Sequence, residues 1–131
     1  MANIGGRFFM ENPIQYVFLE AAPNHEDVLI LNYLIKQTLE KRKPITVSSI
    51  QNLLSNGGAV MIARDRKSRR IVGFGTMTLS IRIDGPAWYR IQDEIVDDID
   101  IDHERDMIYH QIRESLEREA KRRGIELQTV A

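Results

Sequence analysis

Ile71-Val-Gly-Phe-Gly-Thr-Met-Thr-Leu-Ser-Ile-Arg-Ile83 is rich in β-branched and apolar residues and carries two glycines, Gly73 and Gly75. Such a composition reads as a long strand, with the glycines marking places where another element approaches closely. Upstream, Ala59 to Ala63 is apolar enough for a buried strand, and Asp65 to Arg69 is a charged turn, so the two strands should form a hairpin. Downstream, Asp84-Gly85-Pro86 is a turn signal and Trp88 to Val96 reads as a third strand. Three consecutive strands predict an antiparallel meander.

An acidic stretch then leads into a helix expected over Asp106 to Arg123, where Ile108, Ile112, Leu116 and Ala120 recur every fourth residue until Gly124. A last strand is expected over Ile125 to Val130. A strand, helix, strand order calls for a right-handed crossover between parallel strands. On the N-terminal side, Tyr16 to Glu20 reads as a strand. Asn24 or Asp27 caps a helix through Val28, Leu31, Ile35 and Leu39, stopped by Lys41-Arg42-Lys43-Pro44. Thr46 caps a shorter helix through Ile50, Leu53 and Leu54 that ends at Asn56-Gly57-Gly58. The expected fold class is α/β (α+β): a mixed, mainly antiparallel sheet of about five strands flanked by three helices.

A length of 131 residues suits one domain with one real core. Residues 1 to 14 read as a flexible lead-in and 15 to 131 as a single domain. Phe8, Phe9 and Met10 are expected to cover an edge of the core, the alternative being that they dock on a partner. A formal charge of -1 gives no reason to expect a protein that coats nucleic acid or an acidic membrane. The absence of cysteine removes disulfides and thiolate metal sites and fits a reducing compartment. No apolar run approaches the ~20 residues of a membrane span, and the N-terminus lacks a signal peptide's apolar centre, so the expectation is cytoplasmic.

The element order, Arg70-Ile-Val-Gly-Phe-Gly-Thr-Met-Thr-Leu79, the acidic strand segment Ile91-Gln-Asp-Glu-Ile-Val-Asp97 and the helix end Glu119-Ala-Lys-Arg-Arg-Gly124 together resemble the GNAT superfamily of N-acetyltransferases, from about Tyr16 to Val130. The resemblance implies an acetyl-CoA pyrophosphate loop between the fourth strand and the long helix, of the form Arg/Gln-x-x-Gly-x-Gly/Ala. Its glycines let backbone approach the phosphates, and the helix dipole favours their charge. Counting back from Gly124 places that loop at Glu104 to Tyr109, which makes Arg105, Asp106, Met107, Ile108 and Tyr109 the candidate cofactor-binding residues. Met107 and Tyr109 occupy the glycine positions. Asp97, Asp98, Asp100, Asp102, Glu104 and Asp106 crowd the same turn, an arrangement that repels phosphate. The resemblance also implies a further helix, two strands and a tyrosine after the fifth strand, where this sequence ends at Ala131.

Asp93 and Glu94 are the catalytic candidates, at a place where the family sometimes keeps a carboxylate base. The competing reading is a pair of strand acids facing solvent or paired with arginine. Asp98, Asp100 and Asp102 alternate like the first ligands of a calcium loop. However, His103 replaces the turn glycine and Tyr109 the final glutamate, so no metal is expected. His25, His103 and His110 form no zinc pattern. Two basic clusters, Arg64 to Arg70 and Arg118 to Arg123, lack an aromatic platform and carry no expectation of nucleic-acid binding. The sequence reading is therefore a degenerate acetyltransferase-fold domain acting as a protein-interaction module, with Asp98, Asp100 and Asp102 on its contact surface and a protein partner or a second copy bound. In that reading no cofactor is expected. The alternative is an active acyl-CoA-dependent N-acetyltransferase that binds acetyl-CoA through an atypical loop with Arg105 replacing its glycine amides.

Overall fold

Gly73 and Gly75 set the distance between the two halves of the core. A Cβ on Gly75 would stand 2.5 Å from Ile112 Cγ2 and 3.0 Å from Leu116 Cδ1, and one on Gly73 would lie 3.3 Å from Ile112 Cδ1. The long C-terminal helix therefore lies directly on bare backbone at the centre of the sheet. These relations come from a computed structural model, which describes residues 3–4, 7–8, 13–38, 41–98 and 105–128.

The described strands are β1 (Asn3–Ile4), β2 (Arg7–Phe8), β3 (Ile14–Phe18), β4 (Ala59–Asp65), β5 (Ile71–Ser80), β6 (Trp88–Val96) and β7 (Glu126–Gln128). The helices are α1 (His25–Lys36), α2 (Val47–Ser55) and α3 (Arg105–Arg122). β1 and β2 pair with each other, while the other five form one sheet in chain order. Neighbours in that sheet are antiparallel except β6 and β7, which run parallel through the α3 crossover.

The sheet is covered on both sides. Val28, Leu31, Leu34 and Ile35 of α1 and Ile50 of α2 pack on Val60, Ile62, Phe74 and Ile95. On the opposite face Ile108, Ile112, Leu116 and Ala120 of α3 pack on Ala59, Met61, Met77 and Val96. The four-residue spacing seen in the sequence is the buried stripe of α3, and each fully buried Ile or Leu contributes roughly 1.5–3 kcal/mol.

Local chemistry explains the helix ends. Asn24 accepts from the Asp27 amide at 2.9 Å, and Thr46 and Ser49 form a reciprocal capping box on α2. Gly124, at φ +70, follows α3 as the spacing predicts.

Several boundaries differ from the sequence reading. The first strand of the sheet begins at Ile14 rather than Tyr16, because Ile14 pairs with Asp65 and is 3% exposed. Ile14 thus lies in the sheet although it falls in the segment read as a lead-in. Helix α1 runs to Lys36 with Gln37 as its C-cap, and the Gln37 side chain bonds to the chain after β6; Leu39, expected in this helix, lies outside the described residues. Strand β5 ends at Ser80, opposite Trp88, and leaves Ile81 and Ile83 exposed beyond it. Among the described residues no helix is long and apolar enough to cross a membrane.

Candidate functional site

Strand β6 carries the acids singled out in the sequence, and an irregularity decides where they point. Thr76 pairs with Asp93 but Met77 pairs with Ile91, so Gln92 is an extra residue opposite no partner. Residues two apart on a regular strand share a face. Here Ile91 packs with the α3 cluster, while Asp93 turns to the α1 and α2 side. The bulge therefore delivers a carboxylate into an otherwise apolar layer.

Asp93 has an 11% exposed side chain; it accepts from the Thr76 hydroxyl at 2.9 Å and from a guanidinium nitrogen of Arg42. Arg42 belongs to the connection between α1 and α2, which is anchored by Asn32: its side chain bonds both the Ile45 amide, at 2.7 Å, and the Ile45 carbonyl, at 2.9 Å. Asp93, Thr76 and Arg42 help line a cavity of about 90 Å³ whose walls include Leu31, Val60 and Phe74.

Glu94 faces the other way, onto α3. Both of its oxygens are taken by Arg113, one from Nε at 2.7 Å and the other from Nη2. This fork geometry raises the pKa of Arg113 above its ordinary value, chiefly through the hydrogen bond to Glu94. Of the two readings open for these acids, both carboxylates are paired with arginine. Sequence reasoning did not find Arg42 or Arg113. Arg42 stands in a basic run that reads as a helix stop, and Arg113 is one of many charges on an exposed helix face.

Past Arg90, β6 has no partner from β7 among the described residues, because the parallel pairing covers only Trp88 to Arg90. At the end of β6, Asp97 is 3% exposed. Its amide donates to the Val72 carbonyl at 2.7 Å, and its carboxylate accepts from Gln37 at 3.1 Å and faces Arg70 at 3.5 Å. Asp97 therefore belongs to the fold and not to the exposed acidic turn in which the sequence reading counted it. Asp98 is exposed, and its amide donates to Gln37 Oε1 at 3.2 Å. Asp100, Asp102, His103 and Glu104 lie outside the described residues.

The cofactor candidates do not form a loop: Arg105 to Tyr109 are the opening of α3. The count back from Gly124 lands inside the helix because α3 extends to Arg105 before any turn residue intervenes. Arg105 donates to the Val96 carbonyl at 3.4 Å and its guanidinium lies 5.7 Å from the Tyr109 ring centre. Asp106 and Met107 are exposed, Ile108 is 2% exposed in the core, and Tyr109 is half-buried against the α3 cluster. The side chain of Ile108 belongs to the core between α3 and the sheet.

The remaining charged features are tied to neighbours. Arg64 forks onto Asp27 and also holds the Arg69 carbonyl at 2.7 Å, while Arg122 and Arg123 both bind Glu119. His110 faces Glu114 at 3.2 Å, and no group of three or more His, Cys, Asp or Glu suited to a metal occurs among the described residues.

No protein-family model and no curated protein matches the chain. Solved structures do. An aminoglycoside acetyltransferase from an uncultured soil metagenomic sample, in complex with sisomicin, superposes with a TM-score of 0.68 at 18% identity, over 92% of this chain and 80% of that one. Glucosamine-6-phosphate N-acetyltransferase from Arabidopsis thaliana gives 0.64 at 15% identity, over 89% and 84%. A predicted acetyltransferase from Clostridium acetobutylicum, solved with acetyl-CoA, gives 0.62 at 17% identity, over 90% and 80%. The chain has an acetyltransferase fold. That fold is the one of the GNAT superfamily, as the sequence resemblance implied.

Proposed function

We propose that this chain is a catalytically degenerate acetyltransferase-fold domain that acts as a protein-interaction module in the cytoplasm. The observation that carries this reading is the condition of the two β6 carboxylates, Asp93 held by Arg42 and Thr76 and Glu94 held by Arg113. An amine must lose a proton before it attacks a thioester, and carboxylate oxygens already occupied by guanidinium and hydroxyl donors are less open to an incoming amine. The opening of α3 adds to the argument. Met107 and Tyr109 put side chains at the positions where the family's phosphate loop keeps glycine. Asp98, Asp100 and Asp102, with the edge of the sheet, are the proposed contact surface for a protein partner or a second copy.

One observation favours a second reading, an acyl-CoA-dependent N-acetyltransferase: Asp93 lines a cavity rather than open solvent. In that case Arg105 serves as the phosphate ligand and acetyl-CoA is the cofactor. Titration calorimetry with acetyl-CoA and CoA separates the two. The degenerate module gives no saturable heat and no thermal shift; micromolar binding that is lost in Arg105→Ala overturns it in favour of the enzyme.

A further inference from the structure

Leu29 and Tyr33 stand one turn apart on α1 and are 68% and 38% exposed, so the helix presents an apolar strip to solvent as well as its buried face. The tip of the β4–β5 hairpin borders this strip. Arg70 lies over the Tyr33 ring at 5.3 Å, and Leu29, Ile30, Ser68 and Arg69 help line a cleft of about 730 Å³ between helix and hairpin. The acids of the cleft are Glu26 and Asp27, and Asp27 is taken by the fork from Arg64. Arg70 faces Asp97, whereas the exposed side chain of Arg69 meets no hydrogen-bond or ionic partner among the described residues. Arg69 also holds φ +67, a left-handed conformation that is costly for any residue with a Cβ. Strain of this kind gathers at contact sites.

We propose that this cleft docks a second copy of the chain, through that copy's acidic run Asp98 to Glu104, in a two-fold dimer. The proposal rests on the reading of Asp98, Asp100 and Asp102 as a contact surface. The two surfaces match in chemistry. The run carries the acids Asp98, Asp100, Asp102 and Glu104 with Ile99 and Ile101 among them, and the cleft and its rim offer Lys67, Arg69 and Arg70 beside Leu29 and Tyr33. Reach favours a second copy over the chain's own run. Gln37 holds the Asp98 amide, and Leu29 lies two turns earlier on α1, about 12 Å away along the helix. The return point is fixed as well, since Arg105 donates to the Val96 carbonyl. Residues 99–104, tethered at both ends, extend at most about 10 Å before they must turn back. Run and cleft lie at the same end of the sheet, because the Asp97 amide donates to the Val72 carbonyl at the foot of the hairpin. A two-fold axis therefore joins each run to the other copy's cleft at once.

Sedimentation equilibrium of the full chain reads the association. At ~0.05 M salt and about 100 μM chain the expected mass is twice 15.2 kDa, falling toward that of one chain at ~0.5 M salt. The double variant Lys67→Glu, Arg69→Glu and the triple variant Asp98→Lys, Asp100→Lys, Asp102→Lys should each weaken self-association at least about tenfold, since a two-fold interface repeats every change. Mixed in equal amounts, the two variants should associate with each other more tightly than either does with itself. Arg69→Gly separates contact from fold: it relieves the strained φ, so the Tm of the dilute chain should rise while self-association falls. A chain that stays monomeric at ~0.05 M salt, variants that dimerise as the unmodified chain does, or a mixture no tighter than its components would each overturn the proposal. No CoA is present in these measurements, so failure here is distinct from failure of the reading of the domain as catalytically degenerate, which the CoA titration decides.

Discussion

Replacing Gly75 by alanine places one methyl group in the closest contact between sheet and helix. The new Cβ would lie 2.5 Å from Ile112 Cγ2, 3.0 Å from Leu116 Cδ1 and 3.3 Å from the Asp93 carbonyl oxygen. Ile112 and Leu116 are 0% exposed, so neither can move into solvent to make room. Overpacking of this kind costs about 1–3 kcal/mol. The reduced freedom of the unfolded chain returns roughly 0.4–1 kcal/mol, leaving a net loss of about 1–2 kcal/mol. For 131 residues the unfolding entropy is on the order of 275 cal/mol/K, so Tm should fall by about 4–7 °C. Scanning calorimetry checks this, with urea unfolding as an independent measure. Gly85→Ala is the control, since a Cβ there meets nothing within 4 Å, and its Tm should be unchanged or up by ~1–3 °C. A double-mutant cycle with Ile112→Ala, which deletes the clashing methyl, should show a coupling of at least ~0.5 kcal/mol. If Gly75→Ala melts within a degree of the unmodified chain, or if the cycle is additive, the proposed close approach of α3 is wrong.

Tyr89→Phe removes a hydroxyl that donates to the Gly57 carbonyl at 2.7 Å and accepts from Arg123 at 2.6 Å inside the core. Gly57 keeps a bond from Arg123 at 3.2 Å, so the cost should be near the low end, ~1 kcal/mol, with a Tm lower by ~3–4 °C in a melt followed by circular dichroism. Glu119 has its pKa lowered to about 2, first by the hydrogen bond from Arg122 and then by Arg123. A depressed carboxylate stabilises the fold above its unfolded value of about 4.5, and that contribution disappears as pH falls toward 2. Glu119→Gln should therefore have a lower urea midpoint than the unmodified chain at pH 7, with the gap closing between about pH 4.5 and pH 2; a gap that stays constant over that range contradicts the assignment.

The element order was legible because it rests on local signals. The four-residue spacing in α3, the caps at Asn24 and Thr46, and the turn at Asp84-Gly85 act over a few residues and need no tertiary partner. Those signals were enough to imply a mixed sheet; the acetyltransferase fold was implied by the resemblance of the ordered segments at 70–79, 91–97 and 119–124. Boundaries slipped where a distant contact took over. At the end of α1 the Gln37 side chain bonds with Asp97 and Asp98, 60 and 61 residues away, and Ile14 joins the sheet through Asp65.

The site was less legible than the fold. Asp93 and Glu94 stand out in the sequence as two acids on a strand, but adjacent acids look alike in one dimension. Only the register with β5 reveals the extra residue at Gln92 that separates Asp93 from the face of Ile91. Only packing brings Arg42 to one acid, across 51 residues, and Arg113 to the other. Pattern and capping are properties of neighbouring residues, so the sequence determines them by itself. Which charge faces which cavity depends on how strands align and how closely a helix can approach Gly73 and Gly75, and that was decided by the tertiary structure alone.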